Sequence, residues 1–154
     1  MTALLNIFWV VLAFFVMEFV AWFAHKYIMH GIGWKVHRDH HQPHDGPLQR
    51  NDLFIIIFAI PSWLFMQFGV MGGNDWRLTW ALASLSMARR ISMCMVIIHN
   101  RFHSRGKITN RYLLGLVKAH GNHHKRREKE DGECFGMLVV PFKYFKDPGV
   151  RRVP

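Results

Sequence analysis

ALLNIFWVVLAFFVMEFVAWFAHKYIMH, residues 3–30, is the stretch whose reading decides the fold. From Ala3 to Ala24 it is almost unbroken apolar sequence, enough for one helix to cross a ~30 Å hydrocarbon core. It then runs straight into a histidine pair, His25 and His30. The segment lacks a basic leader and a small-residue cleavage site, so it reads as a retained span rather than a signal peptide. Glu18 is its one charge. A carboxylate inside a span is expensive. It either faces protein or a polar cavity, or sits near the end of the span and reaches water or a neighbouring lysine.

Two further apolar runs follow. Leu53 to Val70, LFIIIFAIPSWLFMQFGV, is a second span in which Pro61 predicts a kink that neighbouring helices can tolerate. MGGNDWR is a short turn. Leu78 to Ile98 is a third span, interrupted by Arg89 and Arg90. Two arginines at mid-depth would cost several kcal/mol, so they are expected either to face a polar interior or to mark a shallow, distorted crossing. Between and after the spans lie polar stretches, residues 25–52 and 99–154. The second carries a short amphipathic helix, YLLGLVKAH, and an apolar patch, CFGMLVVPFKYF, that is too short to span.

The fold class expected is therefore all-α: an integral membrane helical bundle of about three to four transmembrane helices, forming a single domain over 1–154. The net charge of +10, from 20 Lys and Arg against 10 Asp and Glu, gathers beside the apolar runs rather than on a soluble module. That distribution favours a membrane over a nucleic-acid partner. It also places the N-terminus outside and both histidine regions in the cytoplasm, with three crossings. Cys94 and Cys134 form no C-x-x-C pair, so neither a disulfide framework nor a thiolate metal site is expected.

Ten of the 11 histidines fall into four groups. These are HKYIMH (His25, His30), HRDHH (His37, His40, His41), HNRFH (His99, His103) and HGNHH (His120, His123, His124); His44 stands alone and reads as a surface or capping residue. On an α-helix, H-x-x-H-H sets three imidazoles within an arc of about 100°, and an i, i+4 pair lies about 40° apart. The five-residue step of HKYIMH spans about 140°, so one ring must swing in as the helix ends at Gly31. Each group follows an apolar span or a short helix, so the four can meet at one membrane face. Ten imidazoles suffice for two metals with open positions. A metal pair without thiolates and with few carboxylates suits oxygen-activating iron better than structural zinc. A non-catalytic membrane carrier of metal ions is the rival from another class, although carriers place ligands near mid-membrane. No nucleophile–base triad, phosphate loop or dinucleotide fingerprint is present. No residue is therefore expected to be catalytic apart from the metal centre or to bind an organic cofactor, and reducing equivalents must come from a partner.

The blocks MEFVAWFAHKYIMHGIGWKVHRDHHQPHDGPLQRNDLF and KAHGNHH…KEDGECFGMLVVPFKYFK resemble the bacterial β-carotene 3-hydroxylases, within the fatty acid hydroxylase/sterol desaturase superfamily of histidine-rich, non-haem di-iron membrane enzymes. The likeness is close over about 15–55 and 115–147, and in the apolar middle it is one of character only. It implies a monooxygenase of the inner membrane, with its active site facing the cytoplasm. That enzyme would use O2 and two iron ions to hydroxylate C3 of the β-ionone ring, taking β-carotene to β-cryptoxanthin and then zeaxanthin. Electrons would come from ferredoxin and its reductase. Lys125, Arg126 and Arg127 read first as ordinary positive-inside residues, and second as a steering patch for an acidic ferredoxin. Motif matching makes His25, His30, His37, His40, His41, His120, His123 and His124 iron ligands or direct supports. His99 and His103 join them from a motif that departs from the family pattern, with Asn100 for an aspartate and a four-residue step. The stretch 85–110 is accordingly expected to be locally rebuilt. Within the same superfamily, a fatty acid or sterol hydroxylase or desaturase is the alternative.

Overall fold

The computed structural model describes residues 3–42, 48–98, 107–125, 129–130, 132–146 and 151–152. Helix α1 (Ala3–Phe23) continues without a break into a π-helical segment, Ala24–Ile32. A short helix α2 (Trp34–His37) and a 3₁₀ turn (Arg38–His41) follow, so the stretch expected to be a polar loop is largely helical as far as His41. A second 3₁₀ turn, Arg50–Phe54, starts with a capping box between Gln49 and Asp52 and leads into α3 (Ile55–Met71). Pro61 lies inside α3 and does not end it. After the Gly72–Asp75 turn come α4 (Trp76–Ile98), α5 (Arg111–His123) and the short α6 (Lys143–Lys146). One two-residue antiparallel pair, β1 (Lys107–Ile108) with β2 (Arg151–Arg152), is too short to alter the all-helical class.

Among the described residues two helices, Ala3–Ile32 and Arg50–Met71, are long and apolar enough to cross a membrane. Only 11% of the most apolar window of each is buried by the protein. A core helix of a soluble domain would be mostly covered; here Leu4, Ile7, Phe15, Phe19, Ile60 and Phe68 are left for lipid. Helix α4 is long enough to span, but its arginines and serines lower its hydropathy.

The hairpin of α3 and α4 fixes the depth of those arginines. Gly69 lies against the backbone of Leu78, and Ser62 bonds Ser84 across the helices at 2.9 Å. Continued along the antiparallel pair, this register puts Arg89 and Arg90 level with Ile56 and Ile57, next to the polar 50–54 turn. Both arginines are exposed. They therefore do not face a polar interior. The helix runs unbroken, and the arginines lie at the end of the bundle that carries the histidines. At the other end Trp9 stacks on Trp76, with centroids 5.7 Å apart. The small core joins α4, α5 and the 132–139 segment through Met87, Leu116 and Leu138, with Phe14 and Met17 of α1 packed against it.

Candidate metal centre

Eight histidines converge at one end of the bundle in two adjoining groups. His25, His30, His37, His41 and His123 form one, and His40, His120 and His124 the other; within each, the ligand-capable nitrogens lie within 4.8 Å of one another. All eight are buried except His124, which is half-buried. His99 and His103, and His44 with them, lie outside the described residues.

Local structure explains the convergence. The π-helical segment hydrogen-bonds with an i→i+5 pattern. Residues five apart therefore stack on one face, and His25 and His30 come together without either ring swinging across 140°. The chain departs from helical geometry at Gly31 (φ −100°, ψ −115°) and re-enters a helix at Trp34. On α5, Asn110 caps the N-terminus by accepting from Leu113 N–H at 3.1 Å. That helix is buried nearly all round, on Leu114, Gly115, Leu116, Val117 and Ala119 as well as on His120 and His123.

The hydrogen bonds settle the tautomers of the central rings. His25 Nδ1–H donates to Phe135 O at 3.0 Å, His30 Nδ1–H to Lys129 O at 3.1 Å, and His123 Nδ1–H to Glu133 O at 2.8 Å. A backbone carbonyl only accepts, so each ring must carry its proton on Nδ1 and leave Nε2 as a bare lone pair. His37 Nδ1 meets Asn51 Oδ1 at 2.6 Å, and His40 Nδ1 meets Gln49 Oε1 at 2.9 Å, with the same result. Burial pushes the His37 imidazole down to about 3, which keeps it neutral.

These lone pairs face one another. His25 Nε2 is 3.2 Å from His37 Nε2, and His30 Nε2 is 3.2 Å from His123 Nε2. Neither pair has a proton to share, so each is a repulsive contact until something electropositive lies between its members. Two nitrogens bound cis to one ion, each at ~2.1 Å, would be about 3 Å apart. The donor set thus fits a borderline metal, and outward-facing carbonyls and amides are the usual supports of metal-bound imidazoles. His41 and His124 stack at 4.5 Å, placing the two groups side by side.

Several supporting residues carry no motif. Phe135 packs its ring against His25, His30 and His123 at 5.4, 5.0 and 5.1 Å. Trp34 covers His30 and His41 at 5.2 and 5.5 Å. The supporting acceptors are mostly main-chain carbonyls, which leave no signature in side-chain identity; only Gln49 and Asn51, close after the second motif, were open to suspicion. A cavity of about 330 Å³ runs between α1, α3 and α4. Met17, Ala21, Met29, Phe54, Phe58 and Ile91 make it apolar, and His25, His37 and His40 stand in its wall.

A sequence model of the family described as fatty acid hydroxylase matches residues 10–144. Among curated proteins, the chain is 40% identical over 128 residues to the beta-carotene hydroxylase of Pantoea ananas, covering 81% of this chain and 71% of that one. It is 33% identical over 139 residues to the beta-carotene hydroxylase of Pseudescherichia vulneris, covering 89% and 78%. It is also 32% identical over 131 residues to a chloroplastic beta-carotene hydroxylase of Capsicum annuum, a longer protein of which 41% is covered. No solved structure matches the chain at a significant level.

Proposed function

The chain belongs to the fatty acid hydroxylase family, and on that premise we propose that it hydroxylates C3 of the β-ionone ring of a membrane-dissolved carotenoid. The observation that carries this reading is an apolar cavity ending at buried, unprotonated histidine nitrogens, in a chain whose curated relatives are beta-carotene hydroxylases. The reaction exchanges a ring C–H for C–OH and releases the second oxygen atom of O2 as water. Its balance needs two electrons and two protons, which a reduced ferredoxin and its reductase supply.

Iron is the metal proposed, one ion in each histidine group, and when bound it supplies the O2 activation that no side chain here can perform. His25, His30, His37, His41 and His123 hold one ion; His40, His120 and His124 hold the other, with His99 and His103 as further ligands. The protein orients the rings, excludes water and admits the substrate. Met17, Ala21, Phe54, Phe58 and Ile91 accept a hydrocarbon ring from the bilayer side. Phe135 and Trp34 cover the histidines and limit escape of reactive species to solvent. The excess of Lys and Arg at the histidine end supports a cytoplasmic orientation in the inner membrane, within reach of a soluble donor.

A second reading, hydroxylation of a fatty acyl or sterol chain, draws on the family description and on the same apolar cavity. A carrier that only binds metal has no observation in its favour, because the histidines gather at one end of the bundle rather than at mid-depth. Expression in a β-carotene-producing host, with pigment chromatography and metal analysis of the purified chain, separates the three. Zeaxanthin and β-cryptoxanthin with bound iron are expected. A well-expressed chain that leaves β-carotene untouched while oxygenating lipid would transfer the proposal to the second reading.

A further inference from the structure

Glu18 is the only charged residue of α1, and it is 7% exposed. Its Oε1 accepts from three consecutive backbone amides, Met137 N–H at 2.9 Å, Leu138 N–H at 2.9 Å and Val139 N–H at 2.8 Å. Successive amides turned onto one oxygen form a concave site for a carboxylate. This compensates one oxygen of a group that is otherwise costly to bury in an apolar span; the other, Oε2, is buried with no hydrogen-bond partner among the described residues.

The amides belong to the strap that orients the metal centre. Phe135 O, two residues before Met137, accepts from His25 Nδ1–H, and Glu133 O accepts from His123 Nδ1–H. Cys134, between them, has φ +59°. That is the left-handed region, which a non-glycine residue adopts only where its surroundings hold it there. The turn lets both neighbouring carbonyls reach imidazoles on different helices, and Cys134 Sγ–H is tied to Tyr144 Oη at 3.2 Å. Glu18 holds the far end of this strap to α1, less than two turns of helix before His25.

We propose that Glu18 is a positioning residue of the metal centre. Its carboxylate latches the 132–139 strap onto α1, and through the carbonyls of Phe135 and Glu133 it sets the orientation of His25 and His123. The inference rests on the reading that the five-histidine group binds metal. It adds that a carboxylate inside the span, not itself a ligand, governs that group selectively. Both strap carbonyl bonds fall on members of the five-histidine group, whereas His40 of the other group is oriented by Gln49.

Cobalt(II) titration of the purified full chain in detergent tests this, with affinity and the d–d absorption spectrum as readouts. His41→Ala and His124→Ala identify which binding step belongs to which group. Glu18→Ala is expected to weaken the five-histidine step by about 10–100-fold and shift its d–d bands, leaving the other step at the wild-type value. Glu18→Gln keeps a carbonyl acceptor for the amides and is expected to restore most of the affinity. Equal weakening of both steps, or wild-type steps and bands in Glu18→Ala, overturns the latch. Glu18→Asp, one methylene shorter, covers the case in which the alanine variant does not fold. It is expected to shift the five-histidine bands alone, and an unchanged spectrum counts against the proposal. A wild-type chain that binds no cobalt would overturn the metal reading itself, an outcome distinct from failure of the latch.

Discussion

Each H-x-x-H-H motif splits between the two groups. His37 and His41, four residues apart, join the five-histidine group while His40 between them joins the other. On α5 the assignment is reversed: His120 and His124 pair, and His123 crosses over. On α5 the helical period explains the split, since residues at i and i+4 share a face and the residue at i+3 lies to the other side of that pair; the first motif winds through a 3₁₀ turn from Arg38 to His41, where that period does not apply. Metal-binding steps are therefore expected to group by space and not by motif. His123→Ala should weaken the same step as His41→Ala and leave the step lost in His124→Ala, as read by iron or cobalt titration. Loss of a common step in His123→Ala and His124→Ala would sink the exchange. Asn51 belongs to the same scale: its Oδ1 is 2.6 Å from His37 Nδ1. Asn51→Leu removes the group that fixes this ring, and chelator competition should then report about 10–100-fold weaker metal binding.

At the scale of elements, α3 and α4 approach closely because Gly69 has no side chain where the backbone of Leu78 passes. Small residues permit such contact between membrane helices, and close contact replaces a hydrophobic drive that lipid does not provide. Gly69→Val is expected to force the hairpin apart and lower its thermal midpoint by several degrees. Ser62→Ala, which removes one interhelical hydrogen bond, should cost only about 0.6 kcal/mol. A larger shift in the serine variant would mean that polar contact, not fit, holds the hairpin. The spans themselves were legible because apolar length is a local property: Ala3–Ala24 and Leu53–Val70 were expected, and helices occupy both. The π-helical segment was not legible, since α-helical angles applied to HKYIMH separate two rings that the i→i+5 pattern brings together. Arg89 and Arg90 were misplaced for a related reason. Their depth follows from the α3–α4 register, which depends on Gly69 and Ser62 rather than on anything within α4. Glu18 was readable as a group facing either protein or water, but its partners are backbone amides 119 to 121 residues away.

For the whole molecule, the two groups tie together segments with no covalent reason to be neighbours: the end of α1, the turns around 37–41 and the end of α5. Among the described residues few apolar side chains join them, the buried cluster at this level being Met87, Leu116 and Leu138 with its half-buried neighbours. The same region holds facing lone pairs at 3.2 Å, which oppose closure unless a cation lies between them. Metal binding should therefore act as a long-range cross-link. It gains from ordering distant segments, and it favours the folded chain by RT ln(1 + [L]/Kd), about 2.7 kcal/mol at a hundredfold excess of free metal over Kd. For a chain of this length that corresponds to a rise of roughly 5–10 °C in the thermal midpoint. Chain stripped with a chelator and dialysed should melt lower by this amount and recover when ferrous iron is returned under anaerobic conditions. The double variant His25→Ala/His123→Ala should start near the stripped value and respond much less to added iron. A wild-type midpoint that ignores both chelation and reloading would mean that the histidines close on each other without a metal, and that the fold does not depend on occupancy of the centre.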